Sequence, residues 1–260
     1  MSVARANPPP PPSLWRFCLR GLFREYGGHF FFRLALPHPV AAVRALRAAA
    51  RLDVSGGDVA VPAPASGPPG GPRPIVGLGF CLKPLDPPCP AGRFNHDCRF
   101  LEEGSGSGAR DVPAPCRACA IRELGLLALR AGAAVYVMTS ARDILFDLYL
   151  PARDRRLFSA GFFALCRYSL RPFAAGLLAA GLPGRLWPFE TGDCRDDAAW
   201  RRADLGDKPE RTVLSAATLQ GIRAALLAAP AAPAPAAGFE KRGPILFPRA
   251  AAPAPGPPTP

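Results

Sequence analysis

Cysteine is the residue whose number and placement in this sequence point to chemistry, since seven of the eight fall between Cys81 and Cys194. Five form a first group, Cys81-x7-Cys89-x8-Cys98-x17-Cys116-x2-Cys119. A C-x2-C turn brings two sulfurs to one ion, and tetrahedral zinc or a cubane cluster then needs two further ligands from elsewhere. Cys81, Cys89 and Cys98 offer three. The expectation is one centre with Cys116 and Cys119 as adjacent ligands and Cys98 as the spare. Pro84, Pro87, Pro88, Pro90 and Gly92 make the intervening chain an extended loop able to wrap an ion. Cys116 and Cys119 also begin a helical pattern, whose dipole favours thiolate.

Cys166, directly after GFFAL, and Cys194, within ETGDC, form a second group that either completes the first centre or makes a separate thiol pair. His96 is a candidate ligand between Cys89 and Cys98, although a loop histidine is more often solvated and imidazole suits zinc better than a cluster. The spacing matches neither a ferredoxin run nor a paired zinc ribbon, so iron–sulfur and zinc both stay open. Two other readings compete with ligation. Cys116-x2-Cys119 can exchange with partner disulfides as a dithiol. Alternatively the cysteines are small buried hydrophobes, which suits Cys18 and Cys166 but suits five cysteines in a proline-rich stretch poorly.

The elements that must position these residues alternate by period. Ile75–Phe80, Ala133–Met138, Phe158–Leu165 and Arg185–Phe189 read as strands. Arg117–Arg130, Ser140–Leu150, Arg171–Ala180 (closed by Gly181) and Thr212–Ala228 read as helices. Such alternation implies parallel crossovers, hence an α/β fold with a three-layer, mostly parallel open sheet over residues 75–228. Cysteine-rich loops at the strand carboxyl ends would then deliver Cys81, Cys166 and Cys194 to the rim where such sheets bind ligands. Thr139 and Ser140 fit helix capping, with Asp143 at the capping-box position, better than phosphate binding. Glu190 and Asp193 flank Cys194 as acid, base or supporting groups, and Arg167 and Arg171 stand ready to neutralise an anion near Cys166.

Ahead of this domain, residues 13–52 read as basic amphipathic helices. The first places Leu14, Trp15, Cys18, Leu22 and Phe23 on one stripe. The second, Val40–Leu52, turns Val40, Val43, Leu46 and Ala50 inward and Arg44, Arg47 and Arg51 outward. They pack on the core or attach peripherally to an anionic membrane surface or a protein partner. Thirty-four prolines concentrate in three stretches too poor in apolar surface to order themselves. The expectation is a disordered segment 1–12, a Pro/Gly linker 53–74 and a disordered Ala/Pro tail 229–260.

The net charge of +12 invites a nucleic-acid reading, but its distribution argues otherwise. Residues 1–74 carry nine basic and three acidic side chains, 75–225 twenty and sixteen, and 226–260 three and one. The excess is arginine throughout, with only Lys83, Lys208 and Lys241 as lysines. No zinc-finger or RNP-type signature accompanies it, so nucleic-acid binding is disfavoured. No apolar run reaches the ~18 residues of a membrane span, and Pro8–Pro12 stands where a signal peptide would need its apolar stretch. A cytoplasmic location is expected, where thiols stay reduced.

The order of motifs resembles an uncharacterised cysteine-rich family, domain of unknown function 116. The stretches that carry it are CLKPLDPPC, PCRACAIRELGLLALRAGAAVYVMTSARDIL and SAGFFALCRYSLRPFAAGLLAAGLPGRLWPFETGDC, about 115 residues from Ile75 to Asp193–Asp197. The resemblance implies a cysteine-rich, metal-binding α/β domain and no established reaction. The long loop Glu102–Val112 and the basic N-terminal helices depart from it. The functional expectation is a metal-binding protein, iron–sulfur or zinc, with a redox or accessory role. Its alternatives are a thiol–disulfide protein and a scaffold that binds a surface or partner through residues 13–52.

Overall fold

Five-residue runs in which every side chain is apolar or glycine cannot be left in water on either face, and they form the centre of the sheet. The computed structural model describes residues 25–63, 71–102, 112–229 and 235–250. Its elements in chain order are α1 (Glu25–Phe30), a π turn (Phe31–Ala35), α2 (Pro39–Arg51), β1 (Val59–Val61), β2 (Ile75–Gly79), α3 (Arg99–Glu102), α4 (Ala114–Arg117), α5 (Ala120–Arg130) and β3 (Ala134–Met138). There follow α6 (Ala141–Ile144), a second π turn (Leu145–Tyr149), α7 (Leu150–Asp154), β4 (Gly161–Leu165), α8 (Leu170–Ala180), β5 (Gly184–Pro188), α9 (Asp197–Asp204), α10 (Ala216–Ala228), β6 (Pro235–Arg242) and β7 (Ile245–Ala250).

The seven strands form one mixed sheet in the order β1-β5-β4-β2-β3-β7-β6, and the four central strands are parallel. The α/β class and a parallel centre are as the alternation predicts. Successive side chains alternate between two apolar cores. Val76, Leu78, Val135, Val137, Phe162, Ala164 and Trp187 enter one, while Ile75, Tyr136, Phe163, Leu165 and Leu186 enter the other. The chain leaves β2 for β3 on one side and then crosses back to β4 on the other. The switch of direction therefore falls between β2 and β4, at whose carboxyl ends Cys81 and Cys166 emerge.

Local chemistry fixes several boundaries. Ser140 accepts the Asp143 N–H at 3.1 Å, and the Asp143 carboxylate accepts back from Ser140 N, the predicted capping box. Gly181 ends α8 at φ +73°, where its N–H and that of Leu182 reach Leu178 and Leu177 carbonyls, a left-handed position that suits glycine.

Three expectations are corrected. The tail was expected to lack structure from residue 229, but β6 and β7 form a hairpin that adds to the β3 edge through Val135↔Leu246 and Tyr136↔Ile245. Phe239, Ile245 and Leu246 are buried there, apolar surface that a bulk count of alanine and proline hides. Residues 53–74 were expected to be linker, yet Val59–Val61 pairs antiparallel with β5 and buries Val59 and Val61. Helix α2 forms as expected but turns another face inward. Ala42, Ala45 and Ala49 are buried while Val40 and Val43 are exposed, because the small side chains let α2 approach α8 closely at Ala175. The expected helix from residue 13, Cys18 and the segment 1–12 lie outside the described residues.

Candidate thiol centres

The seven cysteines separate into two groups rather than converging five on one centre. All seven are free thiols. Cys89, Cys98, Cys116 and Cys119 line one small space together with Lys83 and Pro84. Cys81 stands with Cys166 and Cys194 instead, close enough for their charges to interact. Cys98, expected as the spare, belongs to the first group, and Cys81 does not.

The four-cysteine group is assembled from three segments. The Cys89 N–H donates to Pro84 O at 3.1 Å and the Gly92 N–H returns to Cys89 O at 2.9 Å, curling the loop on itself. Cys98 precedes α3, its N–H held by Glu102 Oε1 at 3.0 Å. Cys116 sits in α4, and Cys119 is the N-cap residue of α5. Burial pushes the Cys98 thiol up to about 12 and also raises Cys116 and Cys119, each further raised by its sulfur neighbours. Amid these thiols lies Lys83, only 3% exposed. Its Nζ donates to Gly92 O at 3.1 Å, to Asn95 O at 3.0 Å and to Asn95 Oδ1. Among the described residues no carboxylate forms a salt bridge with it, although the Asp97 carboxylate lies near enough to act on it, and burial lowers its pKa. Among the described residues, too, no group of three or more His, Cys, Asp or Glu side chains is arranged to hold a metal ion.

His96 is occupied elsewhere. Its Nδ1 meets Val137 O at 2.8 Å, Nε2 faces Thr139 Oγ1 at 3.4 Å, and its ring stacks on Tyr136. It therefore braces the end of β3.

The second group sits at the carboxyl ends of β2, β4 and β5. Cys166 ends β4 and leads through a 3₁₀ turn (Arg167–Ser169) into α8. The Trp200 indole N–H donates to Ser169 Oγ at 3.1 Å, and Ser169 Oγ lies 3.0 Å from Cys166 Sγ. Because the serine oxygen already accepts from the indole, its own proton is free to point at the sulfur. The neighbouring Cys194 thiol, with the Ser169 hydroxyl and N–H, holds the Cys166 pKa below its ordinary value despite burial. The Cys194 thiol is raised by the Cys166 sulfur beside it and by burial, and burial pushes Cys81 up to about 12. Lys208, 5% exposed, lies beside Cys194 and Cys81 and pairs with Glu210 at 3.2 Å.

The two loops are tied together by Asp193, which accepts the Arg167 N–H at 3.1 Å and faces the Arg167 guanidinium at 3.7 Å. Arg171 instead donates to Leu52 O at 3.4 Å, and Glu190 is exposed. Cys81, Cys166 and Cys194 all line a cavity of about 560 Å³. Both π turns contribute to its wall, through Phe31, Leu145 and Tyr149. The opposite side is α2, through Ala42, Val43 and Leu46.

Sequence reasoning missed Lys83, Lys208, Ser169 and Trp200. The lysines had a signal: in a chain whose basic residues are nearly all arginine, each of its three lysines stands beside a cysteine group. Lys241 is the third, and it bonds Asp97 and Glu102 on either side of Cys98.

No protein-family model, curated protein or solved structure matches the chain. Among the described residues no helix is long and apolar enough to cross a membrane.

Proposed function

We propose that the chain is a thiolate-ligated metal protein of the cytoplasm in which Cys89, Cys98, Cys116 and Cys119 hold an iron–sulfur cluster or zinc. On this reading the domain is a three-layer α/β sheet presenting its cysteine loops at the strand carboxyl ends. The observation that carries it is Lys83, a buried ammonium among the four-cysteine group that, among the described residues, feels the Cys89, Cys98 and Cys119 sulfurs and the nearby Asp97 carboxylate but has no carboxylate in salt-bridge contact. A buried cation without a counter-charge is costly. Four thiolates around Zn²⁺ carry a net charge of about −2, as does a four-cysteine cubane in its common oxidised state, and either would neutralise the ammonium. The donor set fits such a group in kind and number, with four soft sulfurs in a desolvated space. As they stand the four sulfurs form no ligand shell, so the reading requires them to turn inward on binding. Bound there, a cluster would supply one-electron transfer and zinc a structural cross-link.

Metal analysis of anaerobically purified protein, with a visible spectrum, tests the reading. Iron with sulfide and broad absorption near ~400 nm identifies a cluster; colourless protein with one zinc identifies a structural site. Folded protein that takes up neither metal ends the proposal.

A second reading has one observation behind it. Phe32, Leu36, Val40 and Val43 are exposed on α1–α2, next to Arg44 and Arg47, the composition of a surface that meets anionic lipid. Flotation with anionic liposomes, comparing the full chain with one lacking residues 1–52, decides it: only the full chain should float.

A further inference from the structure

We propose that Cys166 and Cys194 are a redox-active dithiol that reduces an apolar disulfide bound in the adjoining cavity. The site is separate from the four-cysteine centre and stands or falls without it.

Four features of the structure converge on these sulfurs. Cys166 and Cys194 line the same cavity from loops joined through Asp193, near enough for each thiol to act on the other, so one can attack a substrate while the other resolves the adduct. Ser169 Oγ, which accepts the Trp200 indole N–H, lies 3.0 Å from Cys166 Sγ and can donate its proton to a thiolate there, which favours Cys166 as the attacking sulfur. The Arg167–Asp193 contacts clamp the loops that bear the two sulfurs. Finally, both cysteines are less than a tenth exposed and border the cavity.

That cavity specifies the substrate. Its volume of about 560 Å³ falls within the ordinary range for small-molecule sites. Its walls are apolar, with Phe30, Leu46, Leu145 and Phe173 among them. Polar side chains gather at the strand ends, where Cys81, Cys166, Ser169, Cys194, Asp204 and Lys208 stand. A hydrophilic disulfide such as oxidised glutathione would be desolvated there without compensation. A disulfide flanked by alkyl groups would bury them along α2 and place its S–S bond among the thiols.

The chemistry balances within the pair and its substrate. The Cys166 thiolate attacks one sulfur of R–S–S–R, the S–S bond breaks, and the departing RS⁻ takes a proton to leave as RSH. Cys194 then gives up its proton and attacks the Cys166 sulfur of the mixed disulfide. The Cys166–Cys194 bond forms and the second RS⁻ departs, taking that proton. Two electrons pass from the dithiol to the substrate, which becomes two thiols.

The test uses the full chain, reduced anaerobically and mixed with one equivalent of dibutyl disulfide or of bis(2-hydroxyethyl) disulfide. Alkylation and tryptic peptide mass analysis then follow the bond joining peptide 157–167 to peptide 186–195. Dibutyl disulfide should form it about tenfold faster or more, because the cavity concentrates and orients it. Cys194→Ser should stop at an S-butyl adduct on Cys166. Val43→Glu, a partly exposed change at the cavity wall, should bring the dibutyl rate down to that of the hydrophilic reagent with thermal stability unchanged. If Cys194→Ser does not fold, Cys194→Ala serves the same purpose. Equal rates for the two reagents, oxidation confined to Cys116–Cys119, or a rate unaffected by Cys166→Ser would each overturn the proposal. Metal content of the same samples reports separately on the four-cysteine centre, so either idea can fail alone.

Discussion

The carboxylate of Asp193 accepts the backbone N–H of Arg167 at 3.1 Å, joining the residue after Cys166 to the residue before Cys194. Two thiols on different loops keep their contact only if such a clamp holds. Asp193→Ala should slow formation of the Cys166–Cys194 bond by about tenfold or more and cost about 1 kcal/mol by removing the acceptor of a half-buried N–H. Asp193→Asn keeps an accepting oxygen and should retain most of the rate. Stopped oxidation assays with peptide mapping read both, and an Ala variant as fast as the parent would contradict the clamp.

Metal content should follow the spatial grouping of the cysteines. Cys98→Ser or Cys119→Ser should abolish stoichiometric binding, whereas Cys81→Ser should keep it, since Cys81 stands with Cys166 and Cys194. Elemental analysis of the three variants decides between this and the five-cysteine convergence suggested by linear spacing.

Lys83→Met removes the buried cation while keeping much of its volume. If the lysine balances a negatively charged thiolate centre, the variant should bind metal at least about tenfold more weakly, near 1.4 kcal/mol. Competition with a chromogenic chelator measures this, and unchanged affinity would remove the electrostatic argument for the site.

The parallel strands were legible because Ile75–Gly79, Ala134–Met138 and Gly161–Leu165 are continuous apolar runs, the mark of strands covered on both faces. What stayed hidden was short or interrupted. Val59–Val61 is three residues long. In the hairpin, Pro248 breaks the strand signal, yet β7 pairs with β3 only through Ile245 and Leu246, so the missing N–H of proline costs that pairing nothing. Gly243 at φ +60° makes the two-residue turn with Pro244, a reversal that reads in sequence as more tail. For the candidate site, cysteine placement drew attention to the thiols, but neither their grouping nor the lysines, serine and tryptophan beside them could be read from it. Spacing along the chain does not reveal that β4 lies beside β2, which is what carries Cys81 to Cys166 and away from Cys116.

The pH dependence of stability should show two unusual carboxylates. Burial raises Asp193 and Asp204 to about 6 from 3.8. A folded pKa above the unfolded one means that the folded chain binds more protons between about pH 4 and pH 6. These groups therefore add stability as pH falls through about 6, with the gain complete near pH 4 and absent above pH 7. The expected gain is on the order of 1–2 kcal/mol between pH 7.5 and 5.5. Asp204→Asn should flatten the curve. Urea denaturation at both pH values checks it, and a parent protein that loses stability across this range would be inconsistent with the burial.

The hairpin is predicted to be structural. Leu246→Ala, 1% exposed, should cost about 2–5 kcal/mol, and Phe239→Ala about 3–5 kcal/mol. Chemical denaturation is the measurement; costs near zero would restore the tail reading.

The place of β7 in the sheet also sets a timetable for synthesis. β3 is complete at Met138, but the residues that cover its edge are Ile245 and Leu246, about 107 residues later. At a translation rate of about 5–20 residues per second, that edge waits about 5–20 s for its partner. A nascent chain paused in this window presents an open row of backbone donors and acceptors to its neighbours on the polysome. Chaperone demand and aggregation during expression should therefore depend on how quickly the ribosome reaches the hairpin codons.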